Sequence, residues 1–193
     1  MSVSLSKGQR ISLSKEAGAQ LTKVVMGLGW DAKKTKGFFG FGQRDQSIDL
    51  DASCLMFNDA NQLVDQIWFQ QLNSRDGSVR HTGDNRTGDG DGDDEQIVVQ
   101  LDKIPTGVKS LVFIVNSFTG QSFAEIENAF CRLVDANGNK EVARYNLSCQ
   151  GNHTAQLMAK LYRHENDWKL HAIGESCSGR TFHDMLPVIN GQL

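Results

Sequence analysis

The sequence predicts an all-β fold, a two-sheet β-sandwich with short helical segments and an acidic metal-binding loop. Three observations predict it. Apolar runs rich in β-branched and aromatic residues recur at short intervals along the chain. Gly, Asn or Asp bounds each run, the punctuation of strands joined by turns. Helical periodicity is scarce. With 193 residues the chain favours one domain, so residues 1–193 are expected to close on a single core.

In chain order the predicted strands are residues 23–29, 50–57, 63–69, 96–101, 109–116, 129–134, 142–147 and 168–173. Asp76-Gly77 and Asn137-Gly138 are hairpin signals, and His164-Glu165-Asn166-Asp167 reads as a turn. Pro105, in KIPTGVK, falls between two strands, where a missing N–H does no harm. Residues 155–162 (AQLMAKLY) have helix-friendly composition, but Leu157, Ala159 and Leu161 alternate and a turn and strand follow. They are read as one arm of a hairpin. Residues 122–128 (SFAEIEN) are expected to form a turn or two of helix, and residues 181–189 (TFHDMLPVI) a short C-terminal helix. Residues 33–43 (KKTKGFFGFGQ) are basic and Gly-rich and carry Phe38, Phe39 and Phe41; they read as an insertion loop between strands.

A 39% hydrophobic fraction is enough for a core and excludes wholesale disorder. The longest clean apolar run, Leu111 to Val115, is far short of the roughly 20 residues of a membrane-spanning helix. MSVSLSKGQR holds no stretch that would serve as a signal peptide, so a cytoplasmic protein is expected. Cys54, Cys131, Cys149 and Cys177 lie far apart with no C-x-x-C, which predicts reduced thiols, Cys54 and Cys131 as core fillers. Apart from Lys33, Lys34 and Lys36 there is no basic stripe interleaved with aromatics, which disfavours nucleic acid.

The net charge of −3 is unevenly spread. From residue 84 to 95 six acids (Asp84, Asp89, Asp91, Asp93, Asp94, Glu95) face one base, Arg86. That segment carries −5 and the rest of the chain +2. Ordering so many like charges without compensation is unfavourable by several kcal/mol. The loop therefore either stays solvated or folds around cations. Gly83, Gly88, Gly90 and Gly92 let backbone carbonyls turn inward, and an oxygen-only ligand set selects calcium over softer metals. An EF-hand is excluded. Asp89, Asp91 and Asp93 match its first, third and fifth positions, but Asp94 stands where Gly is needed and Gln100 where Glu is needed.

Further acids lie upstream. SIDLDASC sets Asp49 and Asp51 two apart on one strand face, and in GLGWD Asp31 comes just after a strand ending in Trp30. One divalent ion would leave these nine carboxylates heavily over-charged, so two calcium sites are predicted. The alternative leaves Asp49 as a strand-start cap and the loop as an acidic flap.

GLGWD, SIDLDASC, SVRHTGDNRTGDGDGDDE, ENAFCRLVD and ARYNL together resemble the TerD family of tellurite-resistance and stress-response proteins over nearly the whole chain. The resemblance implies a cytoplasmic bacterial β-sandwich that binds calcium through Asp31, Asp49, Asp51, Asp84, Asn85, Asp91, Asp93, Asp94 and Glu95; Asp89 joins them from its place in the loop. It also implies resistance to tellurite, phage and pore-forming colicins, and partners from the same operon, soluble or at the inner-membrane face. One departure stands out: Val115-Asn116-Ser117-Phe118 replaces a motif like IHDA after the central strand.

The leading expectation is a non-enzymatic calcium-binding scaffold or regulator. A metal-dependent phosphoesterase is the first alternative, since clustered Asp can hold two metals. Its only general-base candidate is His81 beside the loop, which reads as a structural turn histidine; His153, His164, His171 and His183 form no cluster. The second alternative is calcium-bridged binding to anionic lipid, with the residue 33–43 loop as an apolar, basic tip.

Overall fold

The computed structural model describes residues 2–32, 48–83, 92–147 and 151–193. The residue 33–43 insertion, Cys149, and Asp84, Asn85, Asp89 and Asp91 of the acidic loop lie outside the described residues.

The described residues form two six-stranded sheets. One has the order β1 (Val3–Leu5), β10 (Lys140–Asn146), β9 (Ile126–Asp135), β3 (Lys23–Ala32), β7 (Glu95–Gln100), β6 (Val79–His81). The other has the order β2 (Arg10–Ser12), β12 (Asp167–Cys177), β11 (Ala155–His164), β8 (Val108–Ser117), β4 (Leu50–Asn58), β5 (Leu63–Ile67). Every pairing is antiparallel except that of β1 with β10. Among the described residues two α-helices complete the fold, α1 (Leu13–Ala17) and α2 (Phe182–Asn190).

Burial follows the two-residue period of a strand. Val24, Met26, Leu28 and Trp30 of β3 meet Leu111, Phe113 and Val115 of β8 in one core between the sheets. The intervening Val112 and Ile114 point the other way and pack under Phe182, Met185 and Ile189 of α2. β8 is thus buried on both faces, which is why its sequence is an unbroken apolar run rather than an alternation. Cys54 and Cys131 are buried core residues, as expected, and burial pushes the Cys131 thiol up to about 12. Among the described residues no helix is long and apolar enough to cross a membrane.

Several local expectations are corrected. The helix expected over 122–128 is one 3-10 turn, Phe123–Glu125. Ser122 and Glu125 close a capping box around it, and at Ile126 the chain enters β9. The strand expected to reach Phe69 stops at Ile67, because Trp68 turns back to pair with Gln71. β3 runs on through Ala32, so Asp31 lies within the strand instead of after it. Glu95 opens β7 instead of closing the loop. The positive φ of the Asn137-Gly138 turn falls on Asn139.

Candidate functional site

The acids gather because three strand ends coincide. The end of β3 lies beside the start of β7, with Leu28 opposite Glu95. The start of β4 closes the same end of the sandwich from the other sheet. Trp30 ties the three together. Its side chain is buried in the core, its indole Nε1 donates to the Ile48 carbonyl at 3.0 Å, and its backbone N–H donates to Asp94 Oδ2 at 2.9 Å. The Asp94 amide in turn donates to the Leu28 carbonyl at 2.8 Å. Asp31 is exposed and Asp49 half-buried. Asp51 is buried.

Glu95 joins the sheets. Its side chain is 1% exposed, and Oε2 accepts the Ala52 backbone N–H at 2.6 Å. β5 pairs with β4 only over Cys54–Phe57, so Ala52 lies beyond the reach of that neighbour. A carboxylate from one sheet supplies the acceptor that the other sheet lacks. Burial pushes the Asp94 carboxyl above its ordinary value, the Trp30 amide draws it back, and the charges of Asp31, Asp93 and Glu95 push it up again. Three other carboxylates therefore lie close enough to act on Asp94.

Asp93 has a different setting. Its side chain is 1% exposed and lies on Gly27, where any Cβ would strike it. Arg132 Nε donates to its Oδ1 at 2.7 Å and Nη2 to its Oδ2 at 3.1 Å, and Gln96 Nε2 donates to Oδ2 at 3.1 Å. The fork fits the carboxylate in two places at once. A cation of the protein itself therefore neutralises Asp93.

His81 takes a larger part than its sequence context suggested. It is buried, and the Gly83 backbone N–H donates to its Nδ1 at 3.1 Å, which leaves the neutral ring its proton on Nε2. Nε2 lies 3.3 Å from Glu95 Oε2. The imidazole therefore holds Gly83, where the acidic loop begins, and lies against Glu95, the first residue of β7. The only sequence signal for this was the position of His81 two residues before the loop glycine. His81→Leu strands the Gly83 amide, at about 1–3 kcal/mol. Urea unfolding in chelator should show that loss, and an unchanged midpoint would remove His81 from this role.

A pocket of about 510 Å³ opens at the same end, lined by Asp31, Asp94, Asn128, Phe130, Arg144 and Asn146 among others. Among the described residues no three His, Cys, Asp or Glu side chains converge closely enough to hold a metal ion. The described carboxylates fit a hard cation in donor chemistry, all oxygen and crowded around Asp94. They do not close a site without further ligands.

Comparison with known proteins follows the same lines. The sequence model of the TerD domain matches residues 1–186. The chain is 52% identical over 185 residues to tellurium resistance protein TerZ of Serratia marcescens, covering 95% of this chain and 94% of that protein. It is 43% identical over 199 residues to stress response protein SCP2 of Bacillus subtilis, covering 96% and 98%. A crystal structure of a homologue of telluride resistance protein (TerD) from Streptomyces coelicolor A3(2) shares the fold. Its TM-score is 0.66 at 18% identity, over 82% of this chain and 92% of that one.

Proposed function

We propose, from the premise that this chain belongs to the TerD family of tellurium-resistance and stress-response proteins, that it is a calcium-binding module without catalytic activity of its own. One observation carries the reading: Asp31, Asp51 and Glu95 of three strands in two sheets, with Asp49 and Asp94 just before two of those strands, lie at the end from which the acidic loop departs. Calcium takes six to eight oxygens and tolerates irregular geometry, which suits carboxylates on strand ends and a Gly-rich loop. Asp84, Asn85, Asp89 and Asp91 would complete the set, with two ions as the expected stoichiometry. Binding would neutralise the loop and fix its backbone, giving a surface that a protein partner in the same resistance system can read. Such a role is that of a scaffold or regulator at the cytoplasmic side.

A phosphoesterase reading has less to stand on. Among the described residues His81 is the histidine beside the acids, and it is buried with Nδ1 already occupied. A general base needs access to the proton it abstracts.

Calorimetric titration with calcium tests the proposal directly, and no heat of binding would overturn it. An ion bound only by the folded state adds about 2.7 kcal/mol at a hundredfold excess over Kd. For a chain of this size that raises Tm by about 5–11 °C relative to chelator.

A further inference from the structure

The sheet that holds β11 and β12 carries a charge cluster on its outer face. Ile11 of β2, Leu170 and Ala172 of β12 and Leu161 of β11 point into the core between the sheets, so their neighbours Arg10, His171 and Lys160 point outward. Register sets these three side by side, Arg10 opposite His171 and His171 opposite Lys160. The next position in the row is Val112 of β8, which packs under α2. The row is therefore open at the β2 edge and walled at its other end. Lys160 is fixed against that wall. Its Nζ donates to the Gln192 carbonyl in the turn that follows α2, and lies 5.5 Å from the Tyr162 ring centroid.

The cluster has one sign. Lys160 is half-buried, and burial followed by the charge of Arg10 lowers its pKa. His171 is 6% exposed. Burial, then Arg10, then Lys160 hold its imidazole down at about 4, so the ring is neutral at neutral pH. Among the described residues no carboxylate pairs with Arg10 or Lys160. His171 Nδ1 is buried with no hydrogen-bond partner. Like charges gathered around a buried, unsatisfied imidazole are unfavourable. One oxyanion relieves both strains, offsetting the two cations and giving the ring an acceptor.

We propose that Arg10, His171 and Lys160 form a binding site for a phosphate group. The backbones of Arg10 and Lys160 are two strand spacings apart, roughly 10 Å, with the imidazole between them. Two long side chains of that separation close on a tetrahedral oxyanion lying over the ring. Arg10 supplies a fork of donors, Lys160 a point charge already held in place, and the neutral imidazole its single N–H. The contacts are made by the protein alone and owe nothing to the acidic end of the sandwich, so the site stands apart from the calcium reading. The phosphate has two sources of the same chemistry, a soluble monoester or a phospholipid headgroup.

The test uses the full chain in chelator, where calcium plays no part. Titration with glycerol 3-phosphate, followed through the side-chain NMR resonances of His171, should give a saturating shift that sodium chloride at matched ionic strength does not. Arg10→Gln, at an exposed position on the edge strand, should weaken the ester about tenfold or more, as expected for lost charge-assisted hydrogen bonds. Lys160→Met should do the same. Its melting curve reports whether losing the Gln192 contact has unfolded it, and Arg10→Gln carries the test if it has. Co-sedimentation with phosphatidylcholine vesicles, with and without phosphatidic acid, separates the sources. Retention that needs phosphatidic acid and that Arg10→Gln removes assigns the headgroup. A response to the ester alone assigns a soluble ligand. No shift and no retention, or an affinity that Arg10→Gln leaves unchanged, would overturn the site, whatever the calcium titration shows.

Discussion

Replacing Arg132 with methionine is expected to lower stability by about 3–5 kcal/mol when measured in chelator, the range for a buried ion pair that loses one partner. Arg132 is partly exposed, but the Asp93 it grips is 1% exposed and seated on Gly27, so the stranded carboxylate has no route to water. For a chain of this length the loss corresponds to about 6–20 °C in Tm. A second change, Asp93→Asn, should recover most of it, because it removes the stranded charge while keeping the contact from Gln96. The same variant decides whether Asp93 is a calcium ligand. If calcium restores Arg132→Met to the wild-type melting temperature, the ion has taken the place of the guanidinium. If calcium stabilises both proteins equally, Asp93 is structural. A variant as stable as the wild type would mean that the ion pair contributes nothing.

Asp93 also marks the limit of what the sequence makes legible. Its acid-rich neighbourhood is plain in the one-dimensional pattern, but its partner is not. Arg132 reaches it only because Gly27 stands opposite both Gln96 and Arg132 in the sheet, a register set by three strands far apart in the chain. The long strands were legible for a local reason. β4, β8, β11 and β12 are each nine or more residues long and are marked by apolar runs with Gly, Asn or Asp at their bounds. β1, β2 and β6 were not, because three residues offer no periodicity to read. α1 is equally short, five residues between a Ser12 cap and a left-handed Gly18. Glu95 looked like the last acid of a loop. That it is the first residue of a strand, with its carboxylate turned inward to Ala52, depends on where β5 ends in the other sheet. Tertiary pairing decided each of these points.

Trp30→Ala should be as damaging as the loss of Arg132, at about 3–5 kcal/mol for an aromatic side chain removed from a packed core. Trp30→Phe is the more informative change. It keeps most of the buried volume and removes the indole N–H that holds the Ile48 carbonyl, a loss of about 1 kcal/mol. Its effect on calcium should be disproportionate to its effect on folding. Ile48 immediately precedes Asp49, and the Trp30 backbone N–H holds Asp94, so one residue, gripping Ile48 through its indole, sets the distance between these carboxylates. If that spacing matters, Trp30→Phe weakens calcium binding about tenfold, equivalent to about 1.4 kcal/mol, while the chelated protein melts within a few degrees of wild type. Equal affinity in titrations of the two proteins would mean that the acids find the ion through the loop alone, and that the end of the sandwich serves only as its anchorage.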